Sequence, residues 1–223
     1  MSARASSKLA TPAEAVRRLK DGAVIMVGGF GLVGSPLRLI DALVESGIGQ
    51  LTIISNNLGE PGRGLGKLLR SGQVRKVIGS FFTSNPEVVQ AYREGRLEVE
   101  ILPQGTLAEA IRAGGAGIPA FYTPTGAGTL ISEGREVREF DGRPCMLVRC
   151  LRADAALIKA HKADELGNLV YRKTARNFNP IMATAADYVV AEVDEVVPTG
   201  RLDPETIVTP HLFVDAVVLG GNQ

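Results

Sequence analysis

Residues 23–36 run an apolar strand directly into a glycine turn and out again into a helix. The uninterrupted apolar run from Ala23 to Val27, with its β-branched residues, is the pattern of a strand covered on both faces, as in a parallel sheet with helices above and below. Ser35 is placed to cap the helix and Pro36 to fill its first position, where a missing N–H is harmless. Leu37, Ile40, Leu43 and Val44 then recur at helical spacing, and Gly47 ends the helix as its left-handed closing residue. A chain built around such a unit folds as α/β.

Within that turn Gly29, Gly31 and Gly34 have the G-x-G-x-x-G spacing that lets backbone N–H groups approach a pyrophosphate at a helix N-terminus. Taken alone, this predicts a nicotinamide or flavin dinucleotide site. Such a site needs a second anchor, an acidic residue about 20 residues on at the end of the next strand, to hold the ribose hydroxyls. The next strand is Leu51 to Ile54, and it ends in Ser55, Asn56 and Asn57; the nearest acid, Glu60, lies further on in a glycine-rich turn. The dinucleotide reading lacks its anchor, and an NAD-dependent oxidoreductase becomes the lesser alternative.

The strand–helix alternation continues. Gly66 to Arg70 reads as helix, Val74 to Ser80 as strand, Pro86 to Glu94 as helix and Leu97 to Leu102 as strand. Thr106 and Glu109 form a capping box for a helix running to Arg112, and Gly114 to Pro119 reads as a loop. Earlier, Thr11 and Glu14 form the same box for the first helix. Short links between alternating elements predict one mostly parallel sheet flanked by helices. Glu136–Phe140 and Pro144–Arg149 flank Asp141-Gly142, a tight hairpin signal, so a β-hairpin arm interrupts the alternation. Further strands are expected at Ala155–Ala160, Tyr188–Val193 and Leu212–Leu219. No internal repeat or linker divides the chain, and residues 1–223 are expected to form one domain.

Composition narrows the function classes. Twenty-five Lys and Arg stand against 24 Asp and Glu, scattered rather than striped, so no field favours nucleic acid or an anionic membrane. Apolar runs are broken by glycine well short of membrane-spanning length. Met1 to Lys8 lacks the apolar region of a secretory signal and resembles a transit peptide only faintly, so a cytoplasmic location is expected. Cys145 and Cys150 read as free thiols on opposite faces of a strand rather than as a disulfide or metal pair.

A self-sufficient hydrolase needs a nucleophile with an activating base, and the two histidines, His161 and His211, lie in no triad motif. No His, Cys, Asp and Glu grouping has metal-ligand spacing, and no metal is expected. Amides are the stronger signal. Asn56 and Asn57 close the second strand, and Gln104 follows the strand Leu97–Leu102. Strand carboxyl ends line the ligand crevice of open α/β sheets, so these amides and the Gly28–Gly34 loop are expected to converge there. Uncharged amides suit carbonyl oxygens, the amides of an extended ligand, or the oxyanion of an acyl-transfer transition state.

Several blocks together resemble the alpha (A) subunit of class I coenzyme A transferases, of the 3-oxoacid and 3-oxoadipate type. They are Val27 to Leu32, Ser55 to Asn57, Pro103 to Glu109, Arg112 to Gly117, Pro124 to Thr129 and Tyr171 to Asn179, and the likeness extends from about Thr11 to Gly220. The resemblance implies the α/β architecture shared with sugar-phosphate isomerases, and ping-pong transfer of CoA between carboxylic acids through a glutamyl-CoA thioester. The nucleophilic glutamate then belongs to a partner beta subunit, in a heterodimer or heterotetramer, and this chain carries no nucleophile of its own. It implies that Gly28, Gly29, Phe30, Gly31, Leu32, Val33 and Gly34 contact CoA together with Asn56 and Asn57, and that Gln104 and Asn56 support the oxyanion or thioester. CoA thioesters are then substrates, with no permanently bound cofactor. Succinyl-CoA is the expected donor and acetoacetate or 3-oxoadipate the expected acceptor; an acetate- or butyrate-type transferase shares the same motifs. Ser132-Glu133-Gly134 imitates the family's Ser-Glu-Asn-Gly nucleophile motif, but it lacks the asparagine, and Glu133 is rejected as nucleophile.

Overall fold

The computed structural model of the chain describes residues 8–220; the N-terminal targeting reading falls almost wholly on residues 1–7, outside the described residues. In chain order, α1 (Pro12–Val16) precedes β1 (Val24–Val27), α2 (Leu37–Glu45), β2 (Leu51–Ile54) and α3 (Leu65–Arg70). Next come β3 (Val74–Gly79), α4 (Pro86–Arg93), β4 (Glu98–Ile101) and α5 (Gln104–Gly115). An arm of β5 (Ala120–Thr123), β6 (Val137–Phe140) and β7 (Arg143–Arg149) follows. The chain then returns as β8 (Ala153–Asp164), β9 (Leu169–Val170), α6 (Asn179–Thr184), β10 (Ala186–Val197) and β11 (Ala216–Leu219).

Seven strands run parallel in the order β11-β10-β8-β1-β2-β3-β4, with β9 antiparallel on the end of β8. The chain builds outward from β1 to β4, crosses back, and builds outward again from β8 on the other side of β1. The order therefore reverses between β1 and β8, and an open α/β sheet forms its ligand crevice at the carboxyl ends beside that reversal.

Side chains alternate across the sheet as strand geometry requires. Ile25, Val27, Leu51 and Ile53 enter one apolar layer with Leu39, Leu43 and Leu68 of the helices. Met26, Ile54 and Ile78 enter the opposite layer with Leu107, Ile111 and Met182. Each such fully buried Leu or Ile contributes about 1.5–3 kcal/mol of transfer free energy, so both faces of β1 and β2 are held and their carboxyl ends are fixed.

Several local expectations hold and others need correcting. The first capping box is present, with Thr11 and Glu14 each accepting the other's backbone N–H. Gly47 closes α2 with φ 70°. Asp141 and Gly142 turn the hairpin at φ 50° and 73°, and the arm forms its own three-stranded sheet, β5-β7-β6. Ser35, by contrast, does not cap α2: Pro36 is the N-cap residue, without a side-chain cap of its own. Nor do Thr106 and Glu109 form a box. The helix begins at Gln104, directly after Pro103, because Pro103 O already accepts the Leu107 N–H at 2.8 Å. Thr106 is buried within it and Glu109 pairs with Arg112 instead.

Gly114 and Gly115 are helix rather than loop. A Cβ on Gly114 would strike Leu151 O, and one on Gly115 the Thr184 hydroxyl; bare backbone is what lets the end of α5 lie against the Leu151 backbone and α6. The expected strand at Leu212–Leu219 starts only at Ala216, since His211–Phe213 forms a 3₁₀ turn after Pro210. Cys145 is a buried free thiol in β7, and Cys150 is a half-buried one just past the strand end. Among the described residues no helix is long and apolar enough to cross a membrane.

Candidate functional site

The carboxyl ends of β1, β2, β4, β8 and β10 carry the residues of interest. Over β1 the glycine turn folds tightly on itself: Phe30 N–H donates to Val33 O at 3.0 Å and Val33 N–H to Phe30 O at 3.2 Å. The same bridge recurs over β2 between Glu60 and Arg63, a local repeat that residue identity does not reveal.

Most polar groups of the glycine turn are already engaged by protein. Gly28 N–H donates to Leu157 O at 3.0 Å and Gly29 N–H to Asn177 Oδ1 at 3.1 Å. Asn177 Nδ2 donates to Val33 O and Asn179 Nδ2 to Gly34 O, both at 3.0 Å. Two of the glycines are required by these asparagines. A Cβ on Gly28 would run into Asn179 Oδ1, and one on Gly34, whose φ is 70°, into Ala175 O and Asn177 Nδ2. The N–H groups of Gly31, Leu32 and Gly34 have no acceptor among the described residues and are the turn's free donors.

The end of α2 that follows the turn is closed to a phosphate. Glu192, buried in the middle of β10, places Oε2 at 2.9 Å from Arg38 N and 3.2 Å from Leu39 N. Its carboxylate thus supplies the cap that Ser35 does not, at the positive end of the helix dipole. A pyrophosphate would need the same place, so the dinucleotide reading fails on geometry. Lys159 balances Glu192 at 3.3 Å and Asp194 at 2.7 Å, and His161 Nδ1 lies 3.1 Å from Asp194 Oδ2. Burial works to raise the Asp194 carboxyl, but hydrogen bonds from Lys159 and His161 outweigh it and hold the group below its usual range.

On the other side of β1, the three predicted amides do meet. Asn57 Oδ1 accepts Gly59 N–H at 3.0 Å, and Asn57 Nδ2 donates to Asn56 Oδ1 at 3.4 Å. Asn56 Nδ2 in turn donates to Gln104 Oε1 at 3.1 Å. Asn56 and Asn57 are buried, whereas Gln104 is exposed at the start of α5. The chain of amides ends on Gln104 Nε2, which has no acceptor among the described residues and points its polarised N–H groups outward. Next to them Ser80, whose N–H bonds to Asn56 O, carries a buried hydroxyl without a partner among the described residues. Glu133 sits exposed in the arm, in the link between β5 and β6.

A cleft of about 700 Å³ opens where the strand order reverses. Leu32 to Ser35 form one wall, Tyr171 to Ala175 the other, and Lys159, His161 and Asp194 lie between. Arg172 and Lys173 are exposed at its rim. This volume is in the range of small-molecule sites. Buried Tyr171 shares a hydroxyl–hydroxyl hydrogen bond with Thr209 at 2.7 Å; burial pushes its phenol up to about 12 despite that bond.

Sequence reasoning named the glycine turn and the amides but not Glu192, Lys159 or the structural roles of Asn177 and Asn179. One signal was present: an acid inside the apolar run Val189 to Val193 can only be buried with partners.

The family model described as Coenzyme A transferase matches residues 9–220. The A subunit of 3-oxoadipate CoA-transferase from Pseudomonas putida is 56% identical over 208 residues, covering 92% of this chain and 90% of that protein. The A subunit of succinyl-CoA:3-ketoacid coenzyme A transferase from Xanthomonas campestris pv. campestris is 55% identical over 202 residues, covering 91% and 84%. Among solved structures, the acyl-CoA transferase apoenzyme of Escherichia coli O157:H7 superposes with a TM-score of 0.90 at 22% identity. That match takes in 98% of this chain and 48% of the other, so the chain has the fold of about half of that longer protein.

Proposed function

The chain belongs to the coenzyme A transferase family, and we propose that it is the half of a two-chain enzyme that stabilises the acyl-transfer transition state while its partner beta subunit provides the nucleophile. The donor is succinyl-CoA and the acceptor a 3-oxoacid, acetoacetate or 3-oxoadipate. The enzyme works in the cytoplasm as a heterodimer or heterotetramer, and residues 1–223 are one domain of it.

The observation that carries this reading is the amide chain Asn57-Asn56-Gln104, which delivers one exposed, uncharged donor to the carboxyl ends of β2 and β4. A partner glutamate attacks the acyl-CoA carbonyl; the tetrahedral oxyanion collapses to an acyl-glutamyl anhydride and expels CoA thiolate. The thiolate then attacks the glutamyl carbonyl, releasing the donor acid and leaving glutamyl-CoA. The second acid reverses both steps. Gln104 Nε2 donates to the oxyanions, a contribution on the order of 3 kcal/mol in barrier for such a donor. Asn56 acts through Gln104 by fixing its carbonyl. The free N–H groups of Gly31, Leu32 and Gly34 meet the CoA thioester, whose remote binding energy can help drive the chemistry.

The test is co-expression with the beta-type chain of the same genome and assay of CoA exchange from succinyl-CoA to acetoacetate and 3-oxoadipate. Borohydride trapping or mass spectrometry should find a glutamyl-CoA adduct on the partner. Exchange confined to acetate or butyrate would move the assignment to that subgroup, and no exchange with any short acid would end the proposal.

A further inference from the structure

The segment entering α6 serves the glycine turn rather than the cleft alone, and we propose that Asn177 is a positioning residue for the acyl-CoA half-reaction, holding the turn's free N–H groups in register through the turn's own backbone. The proposal rests on the reading that these N–H groups meet the CoA thioester.

Asn177 grips the turn at both ends. Its Oδ1 accepts the Gly29 N–H at 3.1 Å, before the Phe30–Val33 bridge, and its Nδ2 donates to Val33 O at 3.0 Å, after it. Gly31 and Leu32 therefore lie inside a loop whose two stems are tied to one side chain. Asn179 braces that side chain: its Nδ2 donates to Asn177 Oδ1 at 3.2 Å and to Gly34 O at 3.0 Å, while its Oδ1 accepts the Lys159 N–H at 2.8 Å. The turn is thereby fixed to β8 across the point where the strand order reverses. Two glycines exist to admit the grip, since a side chain at Gly28 or Gly34 would displace Asn179 or Asn177. Asn177 itself has φ 24° and ψ −123°, outside the left-handed helical region and strained for any residue but glycine.

The Asn177 side chain is not part of the buried core. Asn177 is only half-buried, and the turn it holds is partly exposed, with Phe30 and Val33 about half open to solvent. A loop that bound nothing would gain little from being tied at three backbone groups. A loop that presents N–H groups to a substrate gains directly, because donors fixed before binding need no ordering when the substrate arrives.

Asn179 is fully buried, so truncating it would test folding. The experiment therefore uses Asn177→Gly, which removes the side chain and relieves the backbone, and Asn177→Asp, which keeps the acceptor for Gly29 but loses the donor to Val33. In the assembled wild-type and variant complexes, hydrogen–deuterium exchange is followed in peptides covering residues 28–36 and, as reference, 51–57. Both KM values and kcat are measured under ping-pong conditions. In Asn177→Gly, exchange in 28–36 should quicken about tenfold with 51–57 unchanged. The KM for acyl-CoA should rise about tenfold, as for loss of one to two hydrogen bonds, with the KM for the acid moving less than about twofold. Asn177→Asp should fall between wild type and Asn177→Gly. Unchanged exchange would overturn the grip itself. Quickened exchange with an unmoved acyl-CoA KM, or with both KM values rising together, would overturn the positioning role. Failure of the wild-type complex to transfer CoA would be a separate failure, of the proposed function, and the exchange result would still decide whether Asn177 holds the turn.

Discussion

Glu192→Ala should destabilise the protein out of proportion to one carboxylate. Oε2 satisfies two N–H groups at the start of α2, Arg38 at 2.9 Å and Leu39 at 3.2 Å, and the residue is 1% exposed, so water reaches the freed groups poorly. Loss of a cap alone is worth about 1 kcal/mol, and the negative charge at a partly buried helix N-terminus adds up to about 2. Lys159 is not stranded, because Asp194 still accepts from it at 2.7 Å. The sum is about 3 kcal/mol, which for a chain of this size lowers Tm by roughly 6–12 °C. Glu192→Gln keeps an acceptor of the same shape and loses only the charge, and should fall by about two-thirds as much. The internal control is Glu195→Ala three residues on, which breaks an ion pair with Lys162 whose side chains are 50% and 36% exposed and is worth no more than about 1 kcal/mol. Differential scanning fluorimetry of the assembled complex at fixed concentration measures all three. If Glu192→Ala melts within about 2 °C of wild type, or no lower than Glu195→Ala, the carboxylate does not carry the helix end and the capping argument is wrong.

Three further outcomes are expected. On the proposed reading, Gln104→Ala should lower kcat about a hundredfold, and because it strips the buried Asn56 Nδ2 of its acceptor it should also cost about 1–3 kcal/mol, or roughly 2–12 °C in Tm; a loss confined to Tm would remove it from the chemistry. Gly115→Ala forces a methyl against Thr184 and should destabilise by about 1–3 kcal/mol in urea unfolding, whereas a neutral result would mean that α5 and α6 can separate. Tyr171, with its phenol at about 12 when folded against 10 as a free side chain, releases its proton first in the unfolded chain. Stability is therefore fully present below pH 10 and falls by roughly 2–3 kcal/mol between pH 10 and 12. Tyr171→Phe should flatten that decline, and parallel curves for the two proteins would refute it.

What the sequence made legible were features fixed by neighbours in the chain. The capping box at Thr11, the hairpin at Asp141-Gly142 and the closing Gly47 depend on residues within four positions and appear as expected. The amides at Asn56, Asn57 and Gln104 could be placed because each follows a strand, and the strand carboxyl ends share an edge. The errors share the opposite cause. Ser35 has the right residue type to cap α2, yet the cap comes from Glu192, more than 150 residues away and brought there by the pairing of β10 with β8 and β8 with β1. Gly114 and Gly115 look like helix breakers until the Leu151 backbone and α6 arrive, when the absence of side chains becomes the condition for contact. Local propensity cannot anticipate a partner that only the tertiary fold supplies.

The glycine turn shows how far this can shift a functional argument. Its spacing suggests glycines that let backbone approach a ligand, but Gly34 of that spacing, and Gly28 just before it, make room for asparagine side chains of the same protein. The helix end behind it is likewise taken by a carboxylate of the same protein. Among the described residues, the glycine turn and the amide chain together leave three turn N–H groups and the Gln104 amide as free donors, and all four are neutral. Neutral donors at fixed positions stabilise negative charge that develops on an oxygen and vanishes again, without trapping the charged acids that enter and leave. A reaction passing twice through a tetrahedral oxyanion between two stable carboxylates has that requirement. What such a set cannot supply is the attacking oxygen, and a carboxylate contributed by a partner chain to this edge would complete the chemistry while leaving each half inert alone.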